Sequence, residues 1–334
     1  MRDRTTTALF LAAALLTNIV GIDEGLAQTK IARVGVLSFF AVTSSNPVPE
    51  RWWQPFRRTL AEHGWIEGKN VSFEYRSSAP GDSSHLTEAA AELVRLKVDL
   101  ICAIGAPFTR AAYTATRTTP IPIVGIDFTT DPVAEGFAES YGRPGGNLTG
   151  VFLDAPEFAG KWLELLSTMV PRLSRIAVLW DPSPGAAHLH SIESMAQALD
   201  LQLRVAEVHK PEDIDRAFSA FRGEPQALII LPSPMLFVQS PRLAQLALKH
   251  RLPATSMTPL FPEAGGLLGY GPHAAATMER SALFVAKILG GIKPGDLPVE
   301  RPAKFELVVN LKTAKILGIA VPESILLQAD EVIR

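Results

Sequence analysis

The 334-residue chain has one cysteine, Cys102, set in the apolar run "VDLICAIG" (98–105). A single thiol excludes an internal disulfide and a cysteine-based metal centre, and its apolar setting marks a small buried hydrophobe. Phosphate-cradling glycine patterns are missing, since neither G-x-x-x-x-G-K-[ST] nor G-x-G-x-x-G occurs. No G-x-S-x-G nucleophile elbow is present. Charge of one sign is also missing. The formal net charge is −2, and the basic residues are scattered without aromatic interleaving, which excludes a nucleic-acid partner or an acidic membrane surface. The two histidines of "HLHS" (188–191) are two apart on an expected helix, point to different faces and read as solvated, not as a metal or catalytic pair. No metal, cofactor or catalytic residue is expected.

The long apolar run is at the start: "TALFLAAALLTNIVGI" (7–22) follows Arg2 and Arg4 and precedes "GLAQ" (25–28). A positive start, a short apolar stretch and small residues at Gly25 and Ala27 read as a signal peptide over 1–27, a mature chain from Gln28 and export to the periplasm.

Hydrophobic residues make up 47 % of the chain and charged residues 20 %, the balance of a globular protein with length for two domains. After residue 30, short apolar runs alternate with amphipathic stretches. Strands are expected at 31–40, 70–77, 98–105 and 121–128, with helices at 49–64, 82–97 and 107–119. Pro55 is awkward inside the first helix, and Asp82 or Ser83 suits the N-cap of the second. A second round follows, with strands at 174–181, 201–208, 226–232 and 252–257 between helices at 157–170, 188–200, 211–223 and 240–250. Two such rounds predict an α/β protein with two doubly wound parallel-sheet lobes. The tail breaks the alternation: a short strand at 265–271, a helix at 275–291, an extended proline-bearing stretch at 293–304, a strand at 305–311, then helical "KTAKILG" and "PESILLQADEVI".

Between the rounds stands "RPGGNLTG" (143–150). A phosphate cradle would follow a strand and open a helix, whereas this stretch precedes the strand-like "LTGVFL" (148–153). It reads as a tight turn leading to the first crossing between lobes.

The segments "DPVAEGFAESYGRPGGNLTGV" (131–151), "EAGGLLGYGP" (263–272), "KPGDLPVERPAKFELVVNLKTAKILGI" (293–319) and "PESILLQADEVI" (322–333) carry a resemblance. They resemble the ABC transporter substrate-binding proteins of the tryptophan/tyrosine-uptake type, which have the type I periplasmic binding-protein fold. The resemblance spans essentially all of residues 31–334. It implies two lobes joined by a three-segment hinge, a cleft for a small molecule, and a membrane ABC permease as partner. One lobe is then 31–150 with about 273–292, and the other 151–271 with about 305–334. The hinge segments fall near 148–154, 269–273 and 293–304. Gly269 and Gly271 are expected to swivel through positive φ, so that Gly271→Val would hinder closure and spare the fold. The expected function is a monomeric, non-catalytic periplasmic receptor for an amino acid or a related aromatic or carboxylate compound. A ligand-sensing subunit for a membrane signalling partner and a two-lobed secreted enzyme are the alternatives. "GAPFTR" (105–110) and "SMTPLF" (256–261) depart from what is common in the family, so no single ligand is carried over.

Ligands of open parallel sheets bind beyond the carboxyl ends of the strands. The candidates there are Ser38, Phe39 and Phe40; Gly105, Ala106 and Pro107; Asp127, Asp131 and Asp181; Ser233, Met257 and Tyr270. Phe39 and Phe40 are either core or cleft wall, and alternation lets only one face the cleft. Ala106 and Pro107 open a helix whose N–H groups suit a carboxylate, or form an ordinary turn. Each aspartate is either a local cap or an acceptor for a ligand ammonium. Tyr270 is either core or the hinge side of the cleft.

Overall fold

The computed structural model describes residues 31–39, 47–79, 82–153, 156–221 and 225–334, so the segment 1–27 and Phe40 lie outside the described residues. Residues 31–334 form one unit containing two sheets.

The first lobe is built from β1 (Ala32–Ser38), α1 (Pro47–Glu62), β2 (Val71–Ser77), α2 (Ser83–Arg95), β3 (Leu100–Ile104), α3 (Ala106–Ala115), β4 (Ile123–Asp127) and β5 (Leu148–Phe152). Its strands are all parallel, in the order β2-β1-β3-β4-β5. Apart from the edge strand β2, the strands read as largely apolar runs because both faces are covered. Alternate residues serve opposite cores: Val34, Val36, Leu100 and Cys102 pack with Trp53 and Phe56 of α1, while Leu37, Ile101 and Ala103 pack with Leu93 and Phe108. Asp82 caps α2 by accepting a hydrogen bond from the His85 N–H at 3.0 Å. Pro55 is accommodated inside α1, which runs on through it. Its neighbours Trp53 and Phe56 are almost fully buried, and that packing outweighs the one lost helical hydrogen bond.

The second lobe comprises α4 (Pro156–Met169), β6 (Arg175–Trp180), α5 (Ala187–Ala198), β7 (Gln202–Glu207), α6 (Asp213–Ala220), β8 (Ala227–Ile230), α7 (Pro234–Val238), α8 (Ser240–Lys249), β9 (Ala254–Ser256), α9 (Leu260–Glu263) and β10 (Leu268–Pro272). The chain then returns to the first lobe as α10 (Ala274–Leu289), whose Met278, Phe284 and Val285 complete the core around Trp53. It comes back to finish the second sheet with β11 (Phe305–Asn310), α11 (Leu311–Leu317), α12 (Glu323–Leu326) and β12 (Glu331–Ile333). The second sheet has the order β7-β6-β8-β9-β10-β11-β12. Its first five strands repeat the winding of the first sheet, which is the structural content of the two rounds.

Two features of the tail depart from the expectation. The second sheet is not wholly parallel, because β11 runs antiparallel to β10. The chain re-enters this lobe at the carboxyl ends of the parallel strands, so its next strand must run the opposite way. The expected helix over 322–333 is helical only at Glu323–Leu326, and Glu331–Ile333 pairs with β11. Asp330 fixes this register: its N–H donates to the Leu307 carbonyl, and its carboxylate accepts from the Leu307 N–H at 2.8 Å.

The turn in "RPGGN" has a docking role. Gly145 takes φ +76°, and the third passage between the sheets lies against it. A Cβ on Gly295 would stand 2.9 Å from the Gly145 carbonyl carbon. From there the chain is joined to β5: the Thr149 hydroxyl donates to the Leu297 carbonyl at 2.9 Å, the Glu300 N–H to the Gly150 carbonyl at 2.9 Å, and the Phe152 N–H to the Glu300 carbonyl at 2.8 Å. Only residues 301–304 separate this attached stretch from β11. Gly295→Ala is expected to lower stability by about 1–3 kcal/mol while leaving ligand affinity within about twofold, as read by thermal melting and titration calorimetry; a loss of affinity at unchanged stability would place Gly295 in the moving part.

Gly269 and Gly271 differ from their expected role. Neither has positive φ. They are glycines because β10 passes tightly over the chain beyond β9: a Cβ would lie 2.5 Å from the Thr258 carbonyl oxygen at Gly269 and 2.0 Å from that of Met257 at Gly271. The expectation that Gly271→Val spares the fold is therefore wrong.

Candidate functional site

The carboxyl ends of the strands from both sheets converge on a cavity of about 1060 Å³, its open mouth included. β1 brings Phe39, β3 brings Ile104 with Gly105 and Ala106, and β4 brings Asp127, Phe128 and Thr129. From the second lobe β8 leads into Pro232, Ser233 and Pro234, and β9 into Ser256, Met257 and Thr258. Both sheets have a winding reversal at this end, between β1 and β3 and between β6 and β8, where an open sheet leaves a crevice.

The wall is mainly apolar, and its aromatic part comes from both lobes. Phe237 of α7 stands edge-on to Phe39, with centroids 5.4 Å apart, and to Trp52 of α1, at 5.0 Å. Phe39 also leans on Phe108 at 6.0 Å. Trp52 and Trp53 are one helical step apart, so Trp53 enters the core and Trp52 faces the cavity. A second contact between the lobes joins His188 Nε2 to the Phe128 carbonyl at 2.9 Å. His188 is buried against Trp162, contrary to its reading as solvated; only His190 of that pair is exposed. The turn of α5 that carries His188 faces the other lobe, which its helical period alone does not reveal.

The polar groups of the wall divide by what their hydrogens already do. Ser240, Ser256 and Thr277 donate to the carbonyls of Phe237, Thr258 and His273. Ser233 and Thr258 instead accept from the N–H groups of Leu236 and Leu260, at 3.0 and 3.2 Å, which leaves their own hydrogens to donate. Ala106 opens α3, where helix geometry supplies its N–H with no acceptor. Gly105 makes this abrupt strand-to-helix turn with φ +96°. The Asp127 carboxylate accepts from the Thr129 N–H at 2.9 Å, the Thr129 hydroxyl at 2.7 Å and the Thr130 hydroxyl. Burial pushes its pKa above the usual carboxylate value, against the pull of those bonds. Among the described residues no cation is paired with it; Arg110, which acts on it from a distance, is paired with Glu135.

Of the sequence candidates, Phe39, Gly105, Ala106, Asp127, Ser233 and Met257 line the cavity. Others sit elsewhere. Ser38 is buried within β1, and Pro107 lies in the first turn of α3 off the wall. Asp131 accepts from the Val133 N–H at 2.8 Å, and Asp181 from the N–H and hydroxyl of Ser183, both at 2.9 Å. Both are local caps. Tyr270 packs its ring on Phe158 and Phe305, and its carbonyl accepts from Trp162 Nε1 at 2.9 Å. Trp52, Phe128, Thr129, Phe237 and Thr258 line the cavity without having been singled out. Phe237 lies on a five-residue helix opened by Ser233-Pro234, and the Ser-Pro pair after a strand was the available signal.

Residues 40–333 match the family described as ABC transporter substrate binding protein. A tyrosine-binding protein of Clostridioides difficile is 25 % identical over 276 residues, covering 81 % of this chain and 78 % of that protein. The ABC domain solved in complex with L-Trp from Streptococcus pneumoniae superposes with a TM-score of 0.81 at 24 % identity, covering 90 % of this chain and 99 % of that one. A conserved domain protein of Vibrio cholerae superposes with a TM-score of 0.82 at 25 % identity, covering 91 % and 100 %. With two wound sheets, a cleft between them and a family match over nearly its whole length, this chain belongs to the ABC transporter substrate-binding proteins.

Proposed function

We propose that this chain is a periplasmic receptor that closes on a single amino acid with a bulky apolar or aromatic side chain and delivers it, unchanged, to an ABC-type membrane permease. The observation that carries the reading is the division of the cavity wall. An apolar basin holding Phe39, Trp52, Phe237 and Met257 suits a flat or branched side chain. Ala106 N–H, Ser233 and Thr258 are donors for a carboxylate. Asp127, buried and with no cation paired to it among the described residues, suits an ammonium. A tyrosine-binding relative and a tryptophan-bound structural neighbour support the same class. The leader-like start "TALFLAAALLTNIVGI" supports export.

A melting screen with L-tryptophan, L-tyrosine, L-phenylalanine, L-leucine and the matching compounds without an amino group tests this. A hundredfold excess over the dissociation constant adds about 2.7 kcal/mol, or about 5–10 °C in a chain of this size. At least one amino acid is expected to reach that shift, and its deaminated analogue to fall well short. Equal shifts from both would remove Asp127 from the reading, and recovery of a chemically altered amino acid would replace a receptor with an enzyme.

The pH dependence has a definite sign. In the unliganded protein Asp127 titrates above its usual value of 3.8, so its burial costs stability increasingly as pH rises from there through the raised pKa. An ammonium beside it favours the ionised form. Amino-acid affinity is therefore expected to rise with pH through that window and level off above it. Asp127→Asn is expected to flatten the profile and weaken binding about tenfold or more at neutral pH, measured by calorimetry across the range. A profile of unchanged slope in Asp127→Asn would locate the titrating group elsewhere.

A further inference from the structure

Away from the cavity wall, one charged contact joins the lobes among the described residues. Arg51 Nη1 donates to Glu263 Oε2 at 3.1 Å and Nη2 to Oε1 at 3.0 Å, a two-pronged pair in which both partners fit only one relative placement. Arg51 belongs to α1, fixed to the first lobe by the buried rings of Trp53 and Phe56. Glu263 ends α9 in the second lobe. Phe261 of α9 is fully buried, and its Pro262 carbonyl accepts from Asn310 Nδ2 at 2.8 Å. Two further carboxylates of the second lobe, Glu306 and Glu331, also act on the guanidinium. One cation of the first lobe thus sits in a field made by three acids of the other. Neither Arg51 nor Glu263 lines the cavity, and the next residue along α1, Trp52, reaches Phe237.

We infer that Arg51 and Glu263 form an interlobe clasp that holds the cleft shut and so sets how long an amino acid stays bound, without touching it. This rests on the reading of the chain as a closing receptor. The clasp exists only when the lobes are together, so it slows dissociation and leaves association nearly unchanged. Arg51 is positioning, because its effect reaches the ligand only through the placement of the second lobe. More than half of its side chain is exposed, so water and salt screen it. Exposed pairs of this kind shift an equilibrium by about two- to fivefold.

The test reads closure directly in the full-length protein. Cys102 is fully buried, so spin labels can be placed selectively at Glu88→Cys in α2 and Gln197→Cys in α5, both exposed helix positions on different lobes. Interlobe distances are then measured without ligand and with saturating L-tryptophan or L-tyrosine. In the parent, a short-distance population is expected without ligand and is expected to shrink in 0.5 M salt. Arg51→Gln and Glu263→Gln should each lower the closed-to-open ratio about two- to fivefold, the double variant no further, and Arg51→Lys should restore part of it because a lysine keeps the charge but not the fork. Dissociation of either amino acid should quicken by the same factor, with association unchanged. If either amino acid shortens the distance and both glutamine variants give the parent distribution, the clasp is wrong and the receptor reading stands. If neither ligand, salt nor substitution moves the distance, the lobes are one rigid body and both readings fall.

Discussion

Gly271→Ala is expected to lower the melting temperature of the unliganded protein by about 10 °C. The added methyl carbon would lie 2.0 Å from the Met257 carbonyl oxygen and 2.6 Å from Met257 Cγ. A flexible side chain could turn aside from the second contact, but the first is with backbone. Strand β10 is held there on both sides, by β9 and by β11, where Gly271 stands opposite Glu306. Relief requires moving strands, a cost of about 4 kcal/mol or more, and each kcal/mol is worth about 2–4 °C in a chain of this size. Melting followed by circular dichroism measures it. A variant that melts with the parent and instead binds its amino acid more weakly would return Gly271 to the role of a swivel.

Phe237→Ala is expected to weaken amino-acid binding by about ten- to hundredfold while changing the melting temperature of the unliganded protein by only about 2 °C. Phe237 makes two edge-on ring contacts across the cleft, with Phe39 and Trp52. Each such pair is worth about 0.5–1.5 kcal/mol beyond its area, and about 1.4 kcal/mol is a factor of ten in affinity. The contacts belong to the closed arrangement, so their loss falls on the bound state. Even with the lobes together Phe237 is only half-buried, and α7 keeps its Ser233 cap and its buried Met235 and Leu236. Trp52→Ala should behave similarly, and the double variant should lose less than the sum because both rings serve one contact. Calorimetric titration is the measurement; an affinity unchanged by Phe237→Ala would make the aromatic row incidental to closure.

Much of the architecture was legible in the sequence because it depends on periodicity. Runs such as "VDLICAIG" and "IPIVGIDF" are apolar throughout since both faces of each sheet are covered, and their alternation with amphipathic helices fixes two wound sheets. The tail was less legible because it is governed by entry direction and pairing. Nothing local to "FELVVNL" says that it runs against β10, and "DEVI" becomes a strand through Asp330 and its neighbour β11. For the site, several strand ends line the cavity, and local chemistry decides which side chains reach it. Asp127, Asp131 and Asp181 look alike in sequence and each accepts from the backbone two residues on, but only Asp127 stands where the cavity wall passes. The glycines around Tyr270 show a further limit. A glycine that permits positive φ and a glycine that makes room for another strand are the same letter.

The return of α10 to the first lobe has a consequence for how the chain is made. When synthesis has passed β5, every strand of the first sheet exists, yet the face that carries Val34, Val36, Trp53 and Phe56 lacks the cover that Met278, Phe284 and Val285 supply from α10. Strand β5 likewise waits for Glu300 to lie alongside it. Native contacts between such distant residues form slowly, because a long loop must close before they reward it. A nascent chain ending at Pro272 would thus hold all five strands of the first sheet with one apolar face covered by α1 alone. The first lobe completes only after nearly the whole of the second has emerged, so a fragment cut between the lobes in sequence leaves the first lobe without the part of its core that α10 supplies.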